Sequence, residues 1–492
     1  MPNTPDHVDV LIIGAGLSGI GAACHIREEF PTRTLAILEA RSASGGTWDL
    51  FRYPGIRSDS DMFTLGYRFR PWSDDKAIAD GPSILQYVRD TAHEYGVDND
   101  IRYNRRAVRA EWSSRSQTWT VTVEHTDTGE TSSVTASFVM SCSGYYRYDQ
   151  GYTPEFPGVE EFEGTIVHPQ HWPEDLDYSG KRVVIIGSGA TAVTLAPSMA
   201  ADAAHVTLLQ RSPSYIISVP AKDALANRLR RVLPTSIAYS VCRGKAIAVS
   251  TALYQLCRRF PNFMRAKIRD MQIRQLPDVD VDIHFNPRYD PWDQRLCLVP
   301  NSDLFRAIRH GSVSMATDTI STFTPDGIDL HSGQKLSADI IVTATGLNLL
   351  ALGGLTFVVD GEEVILPETM TYKGLMLSGI PNFAYIVGYT NASWTLKADL
   401  VCDYVCRLLR HMDAGGYGSV VARRDPSVEE EPFLDFAAGY VLRSVNTFPH
   451  QGSRAPWRLR MNYYRDVFTL RRGAVADDAV EFALKRPELT DA

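Results

Sequence analysis

No apolar run in the 492-residue chain reaches the ~20 residues that a membrane-spanning helix needs. The longest, Val10 to Cys24, is interrupted by four glycines. The opening MPNTPDHVDVLIIGAG has no basic segment followed by an apolar core, so no secretory leader is expected. Positive charge is not in excess either. The net charge of −8 gives no global attraction for nucleic acid. Cysteine is sparse: seven residues, scattered and odd in number, which predicts free thiols and a reducing, cytoplasmic location. Cys402 and Cys406 stand one helical turn apart in LVCDYVCRLLR, where small buried side chains are expected rather than a metal or redox pair. What remains is ordinary globular material, long enough for two or three domains.

Two stretches share one grammar. In HVDVLIIGAGLSGIGAACHI a β-branched run ends in Gly14, Gly16 and Gly19, and a helical pattern follows. Gly14 permits a tight turn, Gly16 lets backbone approach a pyrophosphate, and Gly19 lets helix pack close to strand. The next strand ends at Glu39, twenty residues on, where an acid can hold a ribose hydroxyl pair. The second copy, GKRVVIIGSGATAVTLAPSMA, carries Gly187, Ser188, Gly189, Thr191 and Ala192, with Ala in the third glycine's place. Its following strand puts Gln210 where the first has Glu39, and Arg211 and Ser212 come next. An acid there repels a 2′-phosphate, whereas an arginine grips it through charge-assisted bonds. The pair predicts FAD in the first site and NADPH in the second; Arg211 could also serve merely as a helix cap. Strand-to-glycine exits at Gly144 and Gly346 suggest where the chain passes between the two units.

The expected fold is therefore α/β: two dinucleotide-binding, Rossmann-like domains. The FAD domain is expected at 1–145 and 385–492. The NADP domain is expected at 150–221 and 286–345, with a helical insertion at 222–285. Residues 222–276 carry twelve Lys or Arg against Asp223 and Asp270, with apolar residues interleaved. Three readings stay open for them: a substrate-channel wall, a surface resting on anionic lipid, or a solvated face.

Residues 41–70 contain no cysteine, which excludes a disulfide reductase. They contain instead GGTWDLFRYPGIRSDSD, with Gly46, Thr47, Trp48 and Asp59. Further on, FEGTIVHPQHWP (162–173) sets Phe162, Gly164, His168, Trp172 and Pro173 at fixed intervals, with neither helical period nor alternation. A proline-rich linker with one buried aromatic would explain that stretch alone. The two patterns together resemble the type I Baeyer–Villiger flavin monooxygenases. IHFNPRYDPWDQRLCLVPN and GYTNASWTLKADL make the chain most like the ethionamide-activating branch.

The resemblance implies the following. NADPH reduces FAD, O₂ is captured as a flavin C4a-peroxide, and one oxygen is inserted beside a ketone carbonyl, giving an ester or lactone. Thioethers and thioamides are implied as S-oxidation substrates. Arg295 matches the family's catalytic cation and Asp59 the carboxylate that orients it; an ordinary ion pair is the plain alternative. His168 could be read as a general base, but the resemblance favours a hinge between domains. Thr390 and Asn391 are candidate flavin contacts, although N-capping would account for them too. One departure is Gln294, where many relatives have Lys, so NADPH selectivity leans on Arg211 and Ser212. The expected partners are O₂ and a lipophilic small-molecule ketone or sulfide, with no nucleic acid. A monomer or weak oligomer is expected, with a peripheral membrane contact through 222–276 as an open option. A flavin-containing N- or S-oxygenase is the rival enzyme reading, and a non-catalytic flavin redox sensor the rival outside catalysis.

Overall fold

The computed structural model describes residues 6–434 and 439–487. Its first sheet is built on the buried strand Asp6–Ile13, which pairs in parallel with Leu35–Leu38 on one side and Thr131–Ser141 on the other. Ile101–Arg102 extends the parallel part beyond Leu35–Leu38. Thr131–Ser141 serves two partners along its length. Its first half pairs antiparallel with Thr118–His125, and its last residues pair in parallel with Phe383–Tyr385. The apolar runs VDVLII and LAIL are buried without alternation, as expected of strands covered on both faces. The helices Leu17–Glu29 and Trp394–Gly415 pack together on one face.

The second sheet is wholly parallel. Its order is Val313–Thr317, His205–Gln210, Arg182–Ile186, Ile340–Thr343 and Thr165–Val167. Here the reading of 162–173 needs correction. Neither helix nor strand was expected there, yet Thr165–Val167 is the edge strand of this sheet. Three residues are too few to show a period. A second difference lies in the return of the chain to the first sheet. Thr356–Val359 pairs with Arg105–Ser113, well before residue 385. A strand of four residues leaves little alternation to read.

The two crossings between the sheets pair with each other. Tyr146–Gly151 leaves the first sheet, Leu347–Leu349 returns from the second, and they form an antiparallel ribbon. Gly144 and Gly346 both have positive φ, 71° and 117°, at the points where the strands end.

The insertion consists of helices Ala224–Val232, Thr235–Arg259 and Pro261–Gln275, with a final turn Val281–His284. The parallel strand pair Ile216–Val219 and Cys297–Pro300 brackets it. It docks on the first domain. Arg243 is buried and donates to the carbonyl oxygens of Phe63 (2.8 Å) and Gly66 (2.7 Å) and to the Asp399 carboxylate (2.8 Å). Removing one partner of a buried pair strands the other charge, at about 3–5 kcal/mol. Arg243→Leu should therefore lower the thermal unfolding midpoint markedly, whereas substitution of the exposed Arg274 should leave it in place.

Candidate functional site

The two glycine turns are built alike. Gly14 donates its N–H to the Leu38 carbonyl (2.7 Å) and Gly187 donates to that of Leu209 (2.8 Å). A Cβ on Gly14 would stand 2.8 Å from the Cys142 carbonyl oxygen, and one on Gly187 would stand 2.3 Å from that of Ala344. Each turn thus wedges against the exit of its sheet's central neighbour. Gly19 lies tightest, with a hypothetical Cβ 1.8 Å from the Gly14 carbonyl oxygen, where any side chain would separate helix from strand.

One cavity of about 650 Å³ runs from the first turn across the domain boundary. Its lining includes Gly14, Gly16 and Glu39, then Gly46, Thr47 and Trp48 of the following segment, and Asp59, Arg295 and Trp394. Glu39 is buried. Its carboxylate accepts from the backbone N–H of Ala15 (2.8 Å) and Arg41 (2.9 Å). Burial pushes its pKa up, and those two bonds pull it back. A Cβ on Gly46, whose φ is +56°, would meet the Cα of Gly16 at 2.9 Å, so position 46 needs glycine to leave the passage open. The Thr47 hydroxyl lies 3.1 Å from that of Tyr148.

The segment that carries Gly46 and Asp59 acts as a strap. Its ends line the cavity, but its middle, Phe51, Tyr53 and Ile56, is buried in the core of the second domain. Tyr53 bonds the Thr191 side chain at the start of that domain's helix. Arg57 pairs with Asp303. The strap therefore sets Asp59 from both domains at once. Arg295 reaches it from the loop just ahead of the bracket strand: its Nε lies 2.7 Å from Asp59 Oδ2 and its Nη2 donates to Oδ1 at 2.9 Å. Two bonds to one carboxylate fix the guanidinium plane as well as its position. Beside this pair, Tyr145 packs on Tyr146 and Trp394. Burial raises the Tyr145 pKa well above 10.0, so its phenol stays protonated.

The second turn opens to the surface. Nothing stands within 4 Å of a Cβ placed on Gly189. Ser188 accepts from the Ser214 hydroxyl at 3.0 Å, and Ala192 is buried at the helix start. Gln210 is buried and donates to His284 O (2.8 Å) and Thr317 (2.9 Å), so it faces into the domain. Arg211 and Ser212 are exposed beside the turn, and among the described residues Arg211 has no carboxylate partner. Asn391 points the other way from the cavity. Its amide donates to Met461 O at 2.9 Å, in a separate small cleft, while its neighbours Tyr389 and Ala392 line the main cavity. Sequence reasoning missed Tyr145, Tyr146 and Tyr148, although the run GYYRY directly after a strand-to-glycine exit was the available signal.

His168 stands at the crossing. Nδ1 accepts from the Gln170 N–H (3.2 Å), so Nε2 carries the proton donated to Gly346 O (3.2 Å). A Cβ on Gly151 would strike the ring at 2.1 Å. Burial holds this imidazole's pKa below the ordinary 6.5, so the unfolded chain takes up the proton first as pH falls. The ring's contribution is full above pH 6.5 and is lost as pH drops toward the lowered value. The thermal midpoint should rise with pH up to about 6.5, and His168→Gln should make the rise shallower.

Two dinucleotide folds, joined by a ribbon and sharing one cavity at their junction, define a pyridine-nucleotide-linked flavoprotein. The flavin-binding monooxygenase-like family model matches residues 71–349, and an NAD(P)-binding Rossmann-like domain matches 12–75. FAD-containing monooxygenase EthA of Mycobacterium tuberculosis is 57% identical, with 98% of this chain and 99% of that protein aligned. Among solved structures, an oxidized steroid monooxygenase bound to NADP aligns with TM-score 0.77 at 23% identity, covering 97% of this chain and 100% of that one. OTEMO in complex with FAD and NADP aligns with TM-score 0.75 at 20% identity, covering 98% and 100%. These two establish the fold. The chain belongs to the flavin-binding monooxygenase-like family, and it is a flavin-dependent monooxygenase.

The cavity fits FAD. Its glycine-lined end leaves room that a Cβ would fill, Glu39 presents a buried carboxylate there, and an aromatic wall closes the end that holds Arg295.

Proposed function

We propose that the protein is an FAD- and NADPH-dependent Baeyer–Villiger monooxygenase. The overall change is ketone + O₂ + NADPH + H⁺ → ester or lactone + H₂O + NADP⁺. FAD bound in the main cavity would supply the oxygen-activating chemistry, with NADPH as the reductant. The observation that carries the reading is the Arg295–Asp59 pair on the wall of that cavity. The reaction places negative charge on oxygen beside the carbonyl carbon, and Arg295 offers a fixed cation and N–H donors to it. Asp59 positions that cation. Tyr145 and Trp394 keep water from the reacting end. Gly14, Gly16, Gly19, Glu39, Gly46, Thr47 and Trp48 hold FAD. Asn391 contributes through the backbone of its turn, since its side chain is engaged elsewhere.

NADPH is assigned to Gly187, Ser188, Gly189, Thr191 and Ala192, with Arg211 and Ser212 on the 2′-phosphate. Arg211→Ala should raise the KM for NADPH about tenfold or more and leave that for NADH unchanged, since a charge-assisted contact is worth about 1.5–3 kcal/mol. Equal losses for the two coenzymes would remove Arg211 from the site.

O₂ and a small-molecule substrate are the reactants. The cavity's aromatic end favours a lipophilic ketone, with thioethers and thioamides as S-oxidation substrates. We further propose a monomer or weak oligomer in the cytoplasm that makes a peripheral membrane contact through 222–276. No helix among the described residues is long and apolar enough to cross a membrane. A product analysis tests the central reading: purified holoenzyme is given 2-octanone, a thioether and an amine in parallel. Ester from the ketone supports it. Oxidation of only the sulfide and amine would make the protein an N/S-oxygenase, and no substrate-dependent NADPH consumption would make it a redox sensor.

A further inference from the structure

Among the described residues, ten of the eighteen large apolar side chains left open to water lie between Leu225 and Ile283, in the helical insertion. They form a continuous feature. On the helix Thr235–Arg259 the exposed positions Ile237, Val241, Gly244, Ala248 and Ala252 follow helical spacing and carry no charge. Leu256 continues the line to the corner with Pro261–Gln275, where Phe260 is 53% and Phe263 56% exposed. The opposite side is occupied: Cys257 and Ile268 pack with Tyr215 and Leu296, and Tyr239 and Cys242 join the core of the first domain.

The charges of the insertion fall into two sets. Lys222, Lys245, Arg258, Arg265 and Arg269 each have a carboxylate partner. Among the described residues Arg228, Arg230, Arg231, Arg259, Lys267 and Arg274 have none, although Arg230 donates to the carbonyls of Ser73 and Asp74, and of these only Arg259 and Lys267 stand at the corner itself. Arg259 and Lys267 flank the two phenylalanines, with Lys267 Nζ 5.6 Å from the Phe263 ring centre.

We propose that this corner and the uncharged face beside it rest on an anionic bilayer surface, with Phe260 and Phe263 at acyl-chain depth and Arg259 and Lys267 at the headgroups. The proposal deepens the peripheral contact stated above. It rests on no residue of the cavity, so vesicle binding and ketone oxygenation can fail independently. Apolar side chains with unpaired cations beside them match an interfacial helix. A solvated face balanced by neighbouring acids would give Arg259 and Lys267 carboxylate partners, as it does Arg258, Arg265 and Arg269. A two-fold contact between copies would set those cations against one another. The chain as a whole carries −8, so the attraction must be local to this patch.

The test is co-sedimentation of the FAD-loaded full chain with vesicles of phosphatidylcholine alone, or with a third phosphatidylglycerol. Binding should be about tenfold tighter to the anionic vesicles and should weaken as salt is raised. Phe260→Ser with Phe263→Ser, and separately Arg259→Glu with Lys267→Glu, should each cut it by about tenfold or more. Bound flavin and turnover of a water-soluble ketone should be unchanged and report folding. Equal binding by wild type and both double variants, or no binding of wild type at low salt, overturns the proposal. So does a concentration-dependent dimer that the phenylalanine variant abolishes, because the face would then join two copies.

Discussion

Arg295→Ala should cost about 10²–10³-fold in ester formation while flavin content and flavin reduction by NADPH stay within a few-fold of wild type. The expectation follows from geometry. Arg295 enters the cavity from the loop just ahead of the bracket strand, and Asp59 reaches it from the strap, so both domains converge on one guanidinium. That group lines the cavity and lies outside the glycine turn that would hold the pyrophosphate. Its loss should therefore spare cofactor binding. NADPH should still be consumed, with hydrogen peroxide as product. Asp59→Asn keeps the shape but loses the charge that orients the guanidinium, so an intermediate loss is expected. Arg295→Lys should not restore full activity, because a point charge cannot make both bonds to Asp59. Ester formation at near wild-type rate in Arg295→Ala would remove this residue from the chemistry.

Gly19→Ala should yield a folded but largely colourless protein. The added carbon would stand 1.8 Å from the Gly14 carbonyl oxygen, and backbone cannot swing away as a side chain can. Overpacking ordinarily costs about 1–3 kcal/mol, and here the cost falls on the turn we assign to FAD. Flavin affinity should drop about 10- to 100-fold, read by titration of the stripped protein. Gly189→Ala is the matching control. Nothing stands within 4 Å of that position, so fold and flavin should survive. Only NADPH, which we assign to that turn, should bind more weakly. Equal flavin binding in Gly19→Ala and wild type would mean that the helix yields freely, and the close-packing argument would fail.

Much of the site could be read in the sequence because its logic is local. The glycine turns, the acid at Glu39 and the arginine at Arg211 each follow a strand of their own unit, and strand–turn–helix geometry fixes where they point. The Arg295–Asp59 contact is not local, since 236 residues separate the two. Only the family resemblance placed them together. Where no such pattern existed, the reading fell short. Asn391 could be placed at the start of a helix, but its side-chain direction depends on Met461, seventy residues further on. The tyrosines at 145, 146 and 148 line the cavity because their strand pairs with Leu347–Leu349, a partner the sequence does not announce. The basic insertion shows the same limit. Counting charge found it, but burial alone separates Arg243, which pins it to Asp399, from Arg259, which faces solvent. The strand at Thr165–Val167 was too short for any period to show.

The most direct test uses wild-type holoenzyme, NADPH, 2-octanone and ¹⁸O₂, with NADPH loss and product mass followed together. Ester carrying one heavy oxygen, formed in step with NADPH consumed, is the predicted result. Ester without label, or NADPH consumed with peroxide alone across ketones while thioethers are oxidised, would contradict Baeyer–Villiger oxygenation as the function of this site.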